Sequence, residues 1–274
     1  MASSLQSPPD LAAIKQRQQQ TWASGDFSVV GGKIMLVSER LVDTADLHAG
    51  WRVLDVATGT GSAAIAAARL GCTAVGIDYV PALLERGRLR AAAERLSVEL
   101  LDGDAEALPF ADGSFDAVTS VFGTMFAPDH AQAASELVRV CRPGGTIALA
   151  SWTPEGFIGE LLRTVGAHVA PPAGLQPPTL WGSEQHLRGL FGERVVSLAL
   201  HEQTFTFRFR SPEEFVEVFR LTYGPTVKAF AALQGEAYDA LERDLVALAR
   251  RHDRLGDGAT AIPAAYTEAI AITR

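Results

Sequence analysis

Cysteine is scarce: Cys72 and Cys141 are the only two in 274 residues. Two isolated thiols exclude a disulfide framework and a cysteine-built zinc site, and they fit a reducing compartment. Neither has a histidine near it in sequence. Small buried cysteines are common, so a catalytic thiol is disfavoured. Basic charge is also short, with 24 Lys and Arg against 32 Asp and Glu and a formal net charge of −8. That disfavours nucleic acid as the main substrate, because phosphate binding needs basic patches. The densest basic stretch, Arg86-Gly87-Arg88-Leu89-Arg90 with Arg95, reads as the solvated face of a helix. No run approaches the roughly 18 apolar residues of a membrane helix, so no membrane insertion is expected. Met1 to Asp10 lacks a charged start leading into an apolar stretch, so no signal peptide is expected and the cytoplasm is the expected location. Internal repeats are missing, and low complexity is confined to Gln18-Gln19-Gln20 and alanine-rich helix faces.

Hydrophobic residues, by contrast, make up 47% of the chain. That supports a full core in one large domain, or in one domain with a sizeable insertion. The most informative run is Val53-Leu54-Asp55-Val56-Ala57-Thr58-Gly59-Thr60-Gly61, followed by Ser62 to Ala68. An apolar strand, a glycine turn and a helix of small residues form the first βα unit of a doubly wound α/β sheet. The two glycines let backbone approach a ligand where a Cβ would collide. Gly59 to Ala64 also fits G-x-G-x-x-A, in which the helix N-terminus holds a pyrophosphate. Asp55 beside that turn would repel a pyrophosphate. It suits the sulfonium and ammonium of S-adenosylmethionine. Its competing role is to cap a helix or to end a strand in solvent.

A second apolar strand, Thr73 to Ile77, ends in Asp78. Asp78 lies 19 residues past Gly59, near the roughly 20 expected of a ribose-binding carboxylate. In Leu101-Asp102-Gly103-Asp104-Ala105-Glu106, Asp104 fits the adenine amino group and the Ala105 N–H fits the ring. Ser114 to Gly123 reads as a fourth strand and Ala131 to Val140 as a helix. Arg142-Pro143-Gly144-Gly145 turns into a fifth strand, Thr146 to Ser151.

This order of motifs resembles the class I S-adenosylmethionine-dependent methyltransferases, within their ubiquinone/menaquinone-biosynthesis-like (methyltransferase type 11) small-molecule group. The resemblance runs from about Val53 to Trp152. It rests on the glycine motif, Asp78, Gly103 to Glu106 with Leu108-Pro109-Phe110, and Arg139 to Gly145. It implies a Rossmann-like seven-stranded sheet with an antiparallel last strand, an N-terminal helical lid and a C-terminal helical cap. The implied cofactor is S-adenosylmethionine, with S-adenosylhomocysteine as product, and the implied acceptor is a small molecule. The implied cofactor-binding residues are Asp55, Ala57, Thr58, Gly59, Gly61, Asp78, Tyr79, Asp104 and Ala105, with backbone near Val121 and Phe122. In one respect the chain departs from the pattern: Ala57-Thr58 stands where Gly-Cys or Gly-Gly is frequent, so a modest adjustment of the turn is expected.

Three regions follow from this. Residues 1–50 are the lid, with helices expected over Leu11 to Trp22, Lys33 to Leu41 and a short one near Asp43, a loop over Gly25 to Gly32, and disorder over residues 1 to about 10. Residues 51–152 form the cofactor-binding core. Residues 153–274 hold the remaining strands, Val195 to Arg208 and Ala259 to Ile272, and a helical cap over about 211–256. Helices are also expected over Gly156 to Val169, Trp181 to Leu190 and Tyr238 to Arg251, with a further helix starting at Ser211-Pro212.

Trp22, Met35, Met125, Phe126, Trp152, Trp181, Phe219 and Tyr223 are candidates for an apolar, aromatic acceptor pocket, with Phe122 beside them. The competing role for Trp22 is to anchor its helix, and for Tyr223 it is to extend a core stripe. Methyl transfer needs no metal and no protein nucleophile, only positioning and sometimes a base. The base candidates are His130, His168 and Tyr223. A solvent-facing first turn is the competing place for His130, and a helix C-terminus for His168. Three further readings stay open: a nicotinamide-dependent oxidoreductase using the same turn, a cofactor-binding protein that does not methylate, and methylation of a macromolecule. A homodimer is also left open.

Overall fold

The computed structural model describes residues 10–274. The expected disorder at the start falls outside the described residues, apart from Asp10, which caps the first helix. In chain order the elements are α1 (Leu11–Trp22), α2 (Phe27–Lys33), α3 (Met35–Thr44), β1 (Arg52–Val56), α4 (Ser62–Arg69), β2 (Thr73–Asp78), α5 (Pro81–Ala93), β3 (Val98–Asp102) and β4 (Phe115–Val121). There follow α6 (His130–Val140), β5 (Cys141–Trp152), α7 (Phe157–His168), α8 (Glu184–Phe191), β6 (Val195–Phe209), α9 (Pro212–Thr222), α10 (Gly224–Ala232), α11 (Glu236–His252) and β7 (Thr260–Thr273).

All seven strands join one sheet in the order β3-β2-β1-β4-β5-β7-β6. Strands β1 to β5 run parallel, and β7 lies antiparallel between β5 and β6. The Rossmann-like sheet with its antiparallel last strand is therefore as expected. Its central strands are apolar runs because both faces are covered: Val53, Leu54, Val56, Ala117, Val118 and Ile147 to Ala150 are all buried. Ala63 to Ala67 of α4 are buried too, and their small side chains let that helix lie close to the sheet. Strand order reverses between β1 and β4. Their carboxyl ends part there, and the crevice they open is where ligands bind in such sheets.

Local differences from the sequence reading have physical causes. The expected loop over Gly25 to Gly32 holds α2, because the Asp26 side chain caps it by accepting from Ser28 N at 3.1 Å. The two helices expected over Lys33 to Asp43 are one, α3. Helix α10 was not foreseen. Pro225 sits in its first turn, where a missing N–H is harmless, and Tyr223 separates it from α9. Helix α8 begins at Glu184, under a Ser183 cap, whereas Trp181 lies in a 3₁₀ turn, Pro178–Gly182. The α5 arginines are more than a solvated face. Arg90 is half-buried and donates from Nη1 to Thr60 O, Thr60 Oγ1 and Ser62 Oγ at 2.8, 2.9 and 2.9 Å. Arg86 pairs with Asp26, and Arg88 donates to Leu100 O. Among the described residues no helix is long and apolar enough to cross a membrane.

Candidate active site

A cavity with about 90 Å³ of free space opens at the carboxyl ends of β1, β2 and β4. Asp55, Ala57, Thr58, Gly59, Asp78, Tyr79, Asp104, Ala105, Val121 and Phe122 all line it. Gly61 does not. It caps α4 from a left-handed conformation, φ +78°, packed against Ile65 and Gly87. A Cβ built on Gly59 (φ +56°) stands beside the Phe27 ring at 3.9 Å, inside the lining of this cavity, so glycine keeps that space free for a ligand.

Two carboxylates hold the floor. Asp78 Oδ2 accepts from Gly59 N at 2.8 Å and its Oδ1 accepts from Val80 N at 2.9 Å, so one side chain ties the glycine turn to β2. Asp55 accepts from Thr58 Oγ1 at 2.5 Å, Thr119 Oγ1 at 2.9 Å and Ala64 N at 3.3 Å. Asp55 is buried, so the reading that ends the strand in solvent does not hold, whereas its bond from Ala64 N in the first turn of α4 gives it a capping contact beside its place on the cavity wall. Burial pushes both carboxyls up from the ordinary value to about 6, against the pull of their hydrogen bonds. A buried carboxylate held near its ionisation point is stabilised by a cationic ligand. Asp104 adds a third acid, and Lys15 is the one cation on the described lining.

Lys15 comes from α1 and was missed by the sequence reading, which took only Trp22 from that helix as a candidate. Its Nζ reaches Asp104 Oδ2 and Glu106 Oε2, each at 2.6 Å. Burial lowers the lysine's pKa, but the two acids outweigh it and hold it above the ordinary range. Gln19 of the same helix donates to Tyr79 O at 2.5 Å. Trp22 then meets Phe27, Phe126 and Tyr223 edge to face, with centroids 5.5, 4.9 and 5.6 Å apart. So α1 and α2 contribute Lys15, Trp22, Phe27 and Gly31 to the wall of the cavity. Lys15→Met is expected to speed release of bound S-adenosylhomocysteine about fivefold, in line with the roughly 1 kcal/mol of a partly exposed ion pair. Stopped-flow dissociation measures it, and an unchanged rate would show that the Lys15 ion pairs do not hold the ligand in place.

A second chamber adjoins the first through Trp22, Phe27, Ile34, Phe122 and Phe126. It is completed by Val30, Trp152, Ile158, Phe207, Phe219 and Tyr223, and holds about 20 Å³ of free space. Phe122 takes a left-handed backbone, φ +56°, and stacks on Trp152 with centroids 3.8 Å apart and an angle of 1°. Of the acceptor candidates, Trp22, Phe126, Trp152, Phe219 and Tyr223 meet here. Met35, Met125 and Trp181 do not. Met35 packs its sulfur on Arg90 at 3.2 Å, and Met125 and Trp181 are sealed in the core. Phe27 and Phe207 were missed: the first lay in a presumed loop, the second in a strand whose alternation showed a buried face but not its neighbour.

The histidine base candidates line neither chamber. His130 is buried, not solvent-facing. Its Nδ1 lies 2.9 Å from His186 Nε2 in a separate groove that meets the first cavity at Pro128. Burial, with His186 beside it, lowers its pKa to about 4, so it stays neutral. His168 pairs with Asp244 at 2.7 Å, away from both chambers. His168→Gln is expected to leave cofactor binding and turnover within twofold of wild type, measured at saturating cofactor; a tenfold loss would restore it as a base. Burial pushes the Cys141 thiol up to about 11 and raises that of Cys72. No group of three metal-ligating side chains occurs among the described residues.

Residues 54–149, the stretch that builds this site, match the methyltransferase domain family. An uncharacterized protein of Mycobacterium tuberculosis is 43% identical over 86% of this chain and 88% of its own length. The demethylmenaquinone methyltransferase of Deinococcus radiodurans is 42% identical over 46% of this chain and 54% of its own. The chain belongs to the class I S-adenosylmethionine-dependent methyltransferases. Its fold is shared with the YcgJ protein of Bacillus subtilis, with a TM-score of 0.60 at 20% identity, over 86% of this chain and 98% of that one. In this methyltransferase Ala57 holds φ +52° where the family pattern often has glycine. The departure is therefore absorbed as a left-handed alanine, at a cost of about 1 kcal/mol.

Proposed function

We propose that the chain transfers a methyl group from S-adenosylmethionine to a small, largely apolar or aromatic acceptor. One observation carries this reading: a carboxylate-lined cavity opens through shared aromatic walls onto a chamber lined only by apolar and aromatic residues. Asp78 would hold the ribose hydroxyls, Asp104 and Ala105 would frame the adenine, and Asp55 with the backbone around Gly59 and Phe122 would face the methionine end. S-adenosylmethionine, when bound, supplies the electrophilic methyl group. The chain supplies alignment and a dry site. Trp22, Phe27 and Phe126 exclude water at the shared wall, and Phe122 on Trp152 sets the far wall. No acid or histidine lines the second chamber, so the protein acts by positioning, and the proton of a phenol, enol or thiol acceptor would leave to solvent as the bond to the methyl group forms.

In this reading residues 1–50 serve as the lid, 51–152 as the cofactor core, and the helices within about 211–256 as the acceptor cap. Phe219 of α9 and Tyr223, which follows it, support the last point. The nicotinamide alternative is disfavoured by Asp55, whose carboxylate beside the glycine turn would face a pyrophosphate with negative charge, and by Asp104 with Ala105. S-adenosylhomocysteine formation, measured over a panel of phenols, enols and thiols against an acceptor-free blank, tests the proposal. Turnover with apolar members supports it. Tight cofactor binding without turnover on any member favours a protein that keeps the cofactor and does not methylate.

A further inference from the structure

The second chamber holds no Asp, Glu, His, Lys or Arg among its described lining. Such a wall rejects charged acceptors, because an unpaired ion would be buried there. Its polar atoms are few: the Tyr223 hydroxyl, and the indole N–H groups of Trp22 and Trp152. The indoles can only donate. Tyr223 is 5% exposed and ends α9, with its N–H bonded to Phe219 O at 2.9 Å. The Thr226 hydroxyl donates to its carbonyl at 2.8 Å. Ring and backbone are thus fixed, with centroids 5.6 Å from Trp22 and 5.2 Å from Phe219.

Its hydroxyl, however, makes no hydrogen bond to any described residue, and burial alone acts on the phenol, raising its pKa. It therefore stays protonated and able to donate. The hydroxyl is not one of the fully enclosed unpartnered atoms, so it keeps accessible surface and is free to bond a ligand in the chamber that Tyr223 lines. A wall of donors without a carboxylate asks for an oxygen that accepts, not for a cationic amine.

We propose that Tyr223 is the recognition residue for the acceptor, donating its hydroxyl hydrogen to one neutral oxygen, carbonyl or phenolic, on an otherwise apolar ring system. This rests on the methyltransferase reading and names the acceptor class for the same site. The role differs from that of a base: Tyr223 gives a hydrogen bond and takes no proton.

The test compares two probes of nearly equal shape, 1-indanone and indane, by calorimetric titration of protein saturated with S-adenosylhomocysteine. Wild type and Tyr223→Phe are titrated side by side, so differences in probe hydrophobicity cancel. The preference for the ketone is expected to fall about fivefold in the variant, the scale of one buried neutral hydrogen bond. S-adenosylhomocysteine affinity is expected to be the same in both proteins, which confirms that the variant is folded. An unchanged ketone preference overturns the proposal. So does failure of both probes to bind a protein that holds S-adenosylhomocysteine, because the chamber is then not the acceptor site. Failure of wild type to bind S-adenosylhomocysteine is a separate result, and it removes the reading on which the proposal stands.

Discussion

Asp78→Asn is expected to weaken S-adenosylmethionine binding about a hundredfold. The ionised carboxylate would accept from ribose hydroxyls, and hydrogen bonds to charged groups contribute roughly 1.5–3 kcal/mol each. The asparagine keeps the shape, so the substitution reads the charge rather than a cavity. It also turns one acceptor of the Gly59 and Val80 N–H groups into a donor, which loosens the glycine turn. Calorimetry on wild type and variant measures the loss, and a change under threefold would take Asp78 out of the site.

The same carboxylates give a dependence on pH whose sign is set. Asp55 and Asp78 have folded-state pKa values raised to about 6 from 3.8. Their contribution to the stability of the unliganded protein is therefore present at acid pH and is lost as pH rises through 6. Ligand binding runs the other way, because a sulfonium favours the ionised forms. S-adenosylmethionine affinity is expected to be flat above about pH 7 and to fall by up to roughly tenfold per pH unit, per carboxylate, below 6. Affinity that stayed constant from pH 5 to 8 would contradict this.

Gly123→Ala is expected to destabilise the protein by about 3 kcal/mol, through overpacking that no side chain can relieve. A Cβ at Gly123 would stand 2.4 Å from Ala57 O and 2.6 Å from Ala57 Cβ, and the first of these is backbone. Relief means moving the end of β1 away from the end of β4. The melting temperature should drop by roughly 6–12 °C for a chain of this size. Cofactor binding should be lost with it, because Ala57 and Phe122 line the same cavity. Gly189→Ala is the control. Nothing lies within 4 Å of a Cβ built there, and the residue sits inside α8. There alanine is expected to be neutral or to stabilise by up to about 1 kcal/mol. Equal melting curves for the two variants would show that the approach of Gly123 to Ala57 is not tight.

The gathering of Asp55, Gly59, Asp78 and Asp104 around one cavity was legible in sequence because each carries a local signature. A strand ending in an acid and a glycine turn before small residues can be read without knowing what they face. The acceptor half was not legible in that way. Its chamber is assembled from α1, α2, the turn after β4, the end of β5, α7, β6 and α9, and an aromatic residue on any of these looks like core until its neighbours are known. Phe207 and Phe219 were both visible as buried positions, and only the packing shows that they share one wall. Trp181 and Met125 had the same appearance and turned out to be core. Lys15 was hidden for another reason: a lysine on a polar helix has no pattern until the helix is laid over Asp104 and Glu106. His130 misled because its helix-start position predicts exposure, whereas α8 brings His186 against it and it is buried.

The most direct measurement is calorimetric titration of the wild-type protein with S-adenosylmethionine, with NAD as a parallel ligand at equal concentration. The account predicts saturable micromolar binding of S-adenosylmethionine and no heat from NAD. Binding of NAD without binding of S-adenosylmethionine would contradict it, because the carboxylates around the glycine turn would then be accommodating a pyrophosphate.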